Sequence, residues 1–457
     1  MNQRPAPPQV PFWRSPQGRA WTFQIAMLAA FLWLVAAAYS NVLANLESRG
    51  ISSGFKFLRN EAGFRIGETM GVPLPGWGVF VILAALAAGL AASRLMARRA
   101  RSTPGPRGDA WFAAGVLACA GLPVLALWLT RDAVDVAHYS ETSSYGLALA
   151  VGLLNTLKVT LIGCVASTFL GLLVALGRLS PNWLLRTLCR WYVELNRNLP
   201  VLLQLFFWYF IVLQHLPDVR NSLSLGEWAF LNKRGLYVPA LVPLDGAWPF
   251  CAALLAALAA AVVLRRRSRR LRDETGAPGR WVVPGACLLL ALPALSWLAA
   301  GQPFALELPA LKGFNFQGGT GLSPEFTALV VGLTVYVSAF NAEIIRSGIQ
   351  AVPKGQREAA RALAMGEGQV LRLVVLPQAM RVIVPPMTSE YLAIAKSSSL
   401  AVAIGYPDFV SVGGTVLNQS GQSIEVVGIW MGVYLAISLV ISLGMNIYNR
   451  RVALVER

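Results

Sequence analysis

About ten apolar stretches, each long enough to cross a bilayer, divide this chain: 21–44, 77–97, 111–130, 146–176, 192–214, 248–264, 281–300, 324–346, 382–405 and 426–448. A helix needs roughly 20 mostly apolar residues to span the hydrocarbon, and in that solvent every backbone donor and acceptor must be paired within the segment. The expected fold is therefore an all-α integral membrane protein with about ten transmembrane helices. Composition agrees, with 56% hydrophobic and 13% charged residues, far from a soluble domain.

The net charge of +17 raises the question of nucleic acid, and the placement of the cations answers it. Arg94, Arg98, Arg99, Arg101 and Arg107 follow the second stretch, Arg265, Arg266, Arg267, Arg269, Arg270 and Arg272 the sixth, and Arg450 and Arg451 the last. Loops of the other side carry fewer cations and more acids. That is the positive-inside pattern, and an even count of spans puts both termini in the cytoplasm. Basic residues in short loops do not form the single charged face that nucleic acid requires. Cys119, Cys164, Cys189, Cys251 and Cys287 lack metal spacing and read as small core residues.

Two textures alternate along the chain. Stretches 77–130 and 248–300 are Ala/Leu-rich, and each reads as a peripheral hairpin closed by an Arg-rich loop. Stretches 146–214 and 324–448 instead carry Asn, Thr, Glu, Gln, Lys and Ser. Polar groups in hydrocarbon are costly and usually face a bundle interior or an aqueous path, so the working part is expected there. The organisation that follows is a tail at 1–20, N-terminal helices at 21–145, a first core part at 146–214, a loop and hairpin at 215–323, a second core part at 324–448, and a tail at 449–457. Segment 45–76 has an amphipathic character suited to the membrane surface. Segment 215–247 carries no interpretable motif.

Residues 349–381, IQAVPKGQREAARALAMGEGQVLRLVVLPQAMR, are too polar to span and too patterned for a linker. Pro353 suits a first helical turn, and Gln356–Met365 are strong helix formers. Ala359, Ala360, Leu363 and Ala364 recur at helical spacing as a small apolar stripe. Gly366-Glu367-Gly368 should break this helix, and a second short one, Gln369–Leu376, should end at Pro377. The expected product is a helix-turn-helix knob whose small face suits a groove on another protein.

Glu358-Ala359-Ala360, with Leu376-Pro377 at a fixed interval, resembles the EAA loop of bacterial ABC-importer permeases. AEIIRSGIQAVPKGQREAARAL from Ala342, VGLLNTLKVT from Val151, YVELNRNLPVLLQLFFWYF from Tyr192, YLAIAKSSSLAVAIGYPDFVSV from Tyr391 and ISSGFKFLRNEAGFRIGET from Ile51 are similar to the polar amino-acid uptake branch. Within it they look like the Q-type subunits serving general L-amino-acid, glutamate, glutamine, aspartate and asparagine uptake. The resemblance covers roughly 300 of the 457 residues. It implies a type I importer core with extra hairpins, in a bacterial inner membrane. It also implies a paralogous permease partner, two ATPase subunits that hold ATP and Mg, and a periplasmic amino-acid-binding protein. ATPase coupling would fall to Gly355, Glu358, Ala359, Ala360, Ala364, Gly366, Leu376 and Pro377. The family usually has glycine where this chain has Ala364.

Residue types suggest further roles. Glu343 and Arg346, three apart on one helix face, suit mutual pairing. Candidates for a substrate path are Asn155, Thr156, Gln204, Glu390, Lys396, Ser397, Ser398 and Ser399; Glu390 suits an ammonium and the Lys396–Ser399 cluster a carboxylate. Pro385-Pro386 would free backbone groups nearby. The chain has no G-x-x-x-x-G-K-[ST] loop, and neither His138 nor His215 has metal spacing or a nucleophile motif around it. The chain is thus expected to bind no cofactor and to be no enzyme, with ATP hydrolysed elsewhere. The alternative is an ion-gradient-driven secondary transporter, a class marked by inverted repeats that this sequence does not show.

Overall fold

The computed structural model describes residues 16–48, 54–69, 71–73, 136–244 and 282–452, with scattered positions within 81–122 and 250–268. The hairpin expected at 77–130 and most of both tails lie largely outside the described residues. The molecule is predominantly helical. Five described helices are long and apolar enough to cross a membrane: Arg19–Val42, Tyr145–Leu179, Pro324–Gln350, Glu367–Ile404 and Ser423–Asn449.

The first of these lies in α1 (Pro16–Ser48), whose side chains are exposed from Trp21 to Val42, as befits a helix apolar all round. The bundle proper is built on α2 (Tyr145–Leu179), which lies against a long helix, Pro324–Gln350. Small residues let the two backbones approach: a Cβ on Gly171 would stand 2.7 Å from the Asn341 Cβ. Ser167 and Ser338 on the same seam are fully buried. Close contact between small residues supplies the packing that apolar burial cannot drive in lipid.

The stretch expected at 192–214 is two helices. α3 (Trp183–Asn198) stops at Leu199, and α4 (Val201–Leu213) starts after Pro200. Proline bars the preceding residue from helical geometry, and Leu199 is extended at φ −95°, ψ 133°. Gln204 closes the break, its Nε2 donating to the Asn196 carbonyl at 2.9 Å.

Short strands lie at 72–73, 136–137, 223–243 and 304–322, the third group within the 215–247 segment that carries no interpretable motif. β1 (Val72–Pro73) pairs with β2 (Val136–Ala137). β3 (Leu223–Leu225), β4 (Ala229–Asn232) and β5 (Gly235–Val238) continue antiparallel, and β6 (Ala240–Pro243) follows. After α5 (Val282–Ala300) come β7 (Phe304–Glu307), β8 (Ala310–Lys312), β9 (Asn315–Gln317) and β10 (Thr320–Leu322). β10 closes a four-stranded sheet in the order β10-β5-β4-β3, while β6 pairs with β7 from Ala240↔Glu307 to Pro243↔Phe304. The 248–300 segment therefore leaves from one strand and returns in its direct neighbour.

The core continues in α6 (Pro324–Gln350), α7 (Lys354–Ala362), α8 (Glu367–Ile404), α9 (Phe409–Ser420) and α10 (Ser423–Val452). Ser323 caps α6, its Oγ accepting from the Phe326 amide at 3.1 Å, with Pro324 in the first turn. Segment 54–69 is packed on protein along one face. It folds over the bundle and buries Phe57, Ala62 and Ile66 with Tyr145, Phe409 and Val426. Gly54 anchors its start, donating its N–H to Glu425 Oε1 at 2.8 Å. Alternation of polar and apolar residues signalled one buried face but not what would cover it.

Candidate functional site

α7 and the start of α8 form the knob, and its turn is specified atom by atom. The Ala364 N–H donates to the Arg361 carbonyl at 2.8 Å and the Met365 N–H to the Ala360 carbonyl at 3.3 Å. These two bonds are the Schellman pair that ends a helix on a left-handed residue. That residue is Ala364, at φ +56° the only described non-glycine with positive φ. Alanine thus adopts the turn that glycine would adopt without steric cost. Arg361 Nε reaches Glu367 Oε1 at 2.8 Å across the turn, and the Gly366 N–H donates to Gln369 Oε1 at 3.2 Å.

The expected small stripe is split. Ala360 is 5% exposed and packs inward with Val352, Val370, Val375 and Ala379, whereas Ala359, Ala364, Glu358 and Gly355 lie on the surface. Leu363 projects outward at 78% exposure. Arg357 ties the knob to the bundle, its Nη2 donating to the Ile349 carbonyl at 2.8 Å.

The second knob helix does not end at Pro377. α8 begins as one α-turn at Glu367–Gln369, widens to π geometry over Val370–Val375 and continues as α-helix from Leu376 to Ser397. The wide turns immediately precede the proline, where the ladder lacks a donor. Knob and span are therefore one rod, and Leu376 and Pro377 lie at its change of register with both side chains exposed. Pro385 and Pro386 likewise sit inside the continuous helix.

Glu343 and Arg346 are in ion contact, and Arg178 from the end of α2 joins the same carboxylate. Of the polar residues singled out within the bundle, Asn155 and Thr156 are fully buried. Asn155 Nδ2 donates to the carbonyls of Glu68 at 3.0 Å and Pro407 at 2.9 Å, and Thr156 Oγ1 accepts the Phe409 N–H at 3.0 Å. Gln204 bridges the Pro200 break. Glu390 is half-buried, and the cation whose field reaches it is Arg197 on α3. Lys396 and its neighbours form the transition from α-helix to 3-10 helix, with the Ser398 Oγ donating to the Ala395 carbonyl at 2.8 Å and the Ser399 Oγ to the Lys396 carbonyl at 2.7 Å. The candidates are thus distributed along the bundle rather than gathered round one cavity.

A polar centre that sequence reasoning did not single out lies at the end opposite the knob. Lys158 and Glu68 form an ion pair with side chains only 21% and 14% exposed. Lys158 Nζ also sits 4.1 Å above the Phe326 ring, a favourable cation–π position. Ser323 Oγ donates to Glu68 Oε2 at 2.9 Å, and Tyr209 Oη donates to Glu325 Oε1 at 2.9 Å. Beside them lies a cavity of about 340 Å³ lined by Arg65, Glu68, Ser323, Glu325, Pro407 and Ser411, among others. A lysine about three turns inside the apolar stretch 146–176 was the available signal, because such a charge needs a partner.

Residues 167–457 match the family described as binding-protein-dependent transport system inner membrane component. YhdX of Escherichia coli strain K12, which bears the provisional name of an amino-acid ABC transporter permease, is 43% identical over 97% of this chain and 96% of its own length. The general L-amino acid transport system permease protein AapQ of Rhizobium johnstonii is 39% identical over 95% of this chain and 91% of its own. The glutamate/glutamine/aspartate/asparagine transport system permease protein BztB of Rhodobacter capsulatus is 38% identical, covering 72% of this chain and 85% of its own.

Proposed function

Because the chain belongs to the family of binding-protein-dependent transport system inner membrane components, we propose that it is the permease subunit of an ATP-driven importer that carries polar L-amino acids from periplasm to cytoplasm. The observation that carries this reading is the knob, a rigid turn outside the bundle whose second helix runs unbroken into a span. Leu363 and Ala359 lie exposed on α7 and its end, and the turn bonds with the Arg361–Glu367 pair tie that helix to α8, so a push on them is passed to α8 through this turn. The names of AapQ and BztB support polar amino acids as the cargo.

In this reading the knob end is cytoplasmic, in keeping with the Arg-rich loops. Two separate ATPase subunits, which bind ATP and Mg, grip the knobs of this chain and of a paralogous permease. Their closure turns the bundle outward, and a periplasmic binding protein delivers its amino acid to the capped end. There the cavity beside Glu68, Arg65 and Glu325 offers partners for both an ammonium and a carboxylate. Asn155, Thr156, Gln204, Glu390 and the Lys396–Ser399 cluster remain the candidates for the route inward.

The test is a disulfide cross-link between a cysteine at position 359 or 363 and cysteines in the groove of the co-expressed ATPase. Cross-links that form at both positions, and change yield when ATP is trapped, support the docking. Cross-links that form equally from Met365→Cys on the inner side of the knob would refute it.

A further inference from the structure

The knob end of the bundle holds a second charged cavity, of about 310 Å³, lined by Arg178, Arg186, Arg190, Glu194, Arg346 and Gln350. Arg178 and Arg346 share Glu343. Arg186 and Arg190 have no ion-pair partner among the described residues. They stand four apart on α3, a spacing at which like charges repel. Four guanidinium groups against Glu194 and Glu343 leave two positive charges uncompensated, and the cavity between them is an anion's place.

α3 supplies the second half of the argument because it has three faces. Val193 and Asn196 are buried against the bundle, and Gly177 lets the helix cross closely, since a Cβ there would stand 2.4 Å from Cys189 Sγ. Leu184, Leu188, Trp191 and Leu195 form an exposed stripe, Trp191 at 71%. Arg186 and Arg190 occupy the third face, next to the cavity. A helix at the end of a span that bares tryptophan and leucine along one side and arginines along another suits the plane between hydrocarbon and headgroups. At that depth the neighbouring anion is a phosphate, and guanidinium forks match phosphate oxygens two at a time.

We propose that this cavity binds the phosphate diester of an anionic lipid in the leaflet on the knob side, with Arg186 and Arg190 in contact with it and Arg178 and Arg346 behind them. Free inorganic phosphate shares the chemistry but lacks the acyl chains that would cover the Leu184–Leu195 stripe.

The full chain, purified in detergent with its co-expressed partner subunits, is titrated with phosphatidylglycerol, phosphatidylcholine and inorganic phosphate, with bound lipid counted by native mass spectrometry. Phosphatidylglycerol should be retained at least about tenfold more tightly than phosphatidylcholine. R186Q/R190Q should lose about 30-fold in phosphatidylglycerol affinity, the loss expected for two interfacial cations. R186K/R190K should recover most of it. Equal retention of the two lipids by the wild type, or phosphatidylglycerol affinity unchanged in R186Q/R190Q, would overturn the proposal. Displacement of the lipid by millimolar inorganic phosphate would reassign the site to the free ion. Loss of ATPase co-purification in R186Q/R190Q with the lipid count unchanged would reassign it to an acidic protein surface.

Discussion

Replacing Ala364 by glycine should stabilise the knob, and the size of the gain follows from its backbone. At φ +56° the alanine Cβ crowds the following carbonyl, which costs about 1–2 kcal/mol relative to glycine. Glycine gives back about 0.4–1 kcal/mol through the greater freedom of the open chain. The net expectation is a gain of about 0.5–1 kcal/mol for Ala364→Gly. Ala364→Val adds a β-branched side chain to the same geometry and should cost a further 1 kcal/mol or more, roughly. The readout is hydrogen exchange at two amides, Ala364 to the Arg361 carbonyl and Met365 to the Ala360 carbonyl. Protection should rise about two- to fivefold in the glycine variant and fall at least about fivefold in the valine variant. Lower protection with glycine, or equal protection in all three proteins, would mean that the turn is not left-handed and that the Schellman assignment is wrong.

Other substitutions test other joints. Leu363→Asp should leave the chain folded and inserted but lower ATPase co-purification at least about fivefold, because fully burying an exposed leucine side chain is worth about 1.5–3 kcal/mol; unchanged assembly would remove Leu363 from the docking surface. Ala360→Trp should instead loosen the knob itself, since Ala360 packs inside it, and protease cleavage near 354–369 should accelerate even without ATPase. Glu68→Gln strands Lys158 in a site only 21% exposed and should cost about 3 kcal/mol, visible as a lower unfolding temperature and partly restored by Lys158→Met; a neutral result would mean that water already reaches the pair. Burial pushes the Asp408 carboxyl up to about 7, against cap bonds from the Ser411 and Val410 amides that pull it down. The fold therefore favours the protonated form, and the stability it holds at low pH declines between about pH 4 and pH 7, by up to about 4 kcal/mol. Asp408→Asn keeps the cap and should flatten that profile in a thermal-shift series.

The spans were legible because their signal is local. Each of the five long helices lies on an apolar run, and membrane solvent leaves such a run little alternative to a helix. The knob's first helix and the turn near Gly366 were legible for the same reason, in a propensity run followed by glycine. What failed was any feature set by a neighbour. Ala359 and Ala360 are chemically identical, and only Val352, Val370 and Val375 decide which of them turns inward. Pro377 marks a helix end in an isolated segment, whereas a π-turn and a packed bundle carry the helix through it. Ala364 is a poor left-handed residue by type, and the surrounding bonds impose that conformation on it. The strands at 223–243 and 304–322 are three or four residues long, and two of their pairings join residues more than 60 apart in sequence, so no single window of sequence contains them. Glu68 and Lys158 are 90 residues apart, and their pairing became visible only when segment 54–69 was seen lying over α2.

The central claim is that this chain, coupled through its knob, moves polar amino acids at the expense of ATP hydrolysed by another subunit. It is tested most directly by uptake of labelled glutamate, glutamine and a neutral amino acid into proteoliposomes. These would hold this chain with its partner permease and ATPase, with binding protein outside and ATP inside. The account predicts uptake that needs both ATP and binding protein and that vanishes when residues 353–377 are replaced by a Gly/Ser linker. Uptake by this chain alone, driven by an ion gradient without ATP, would contradict it.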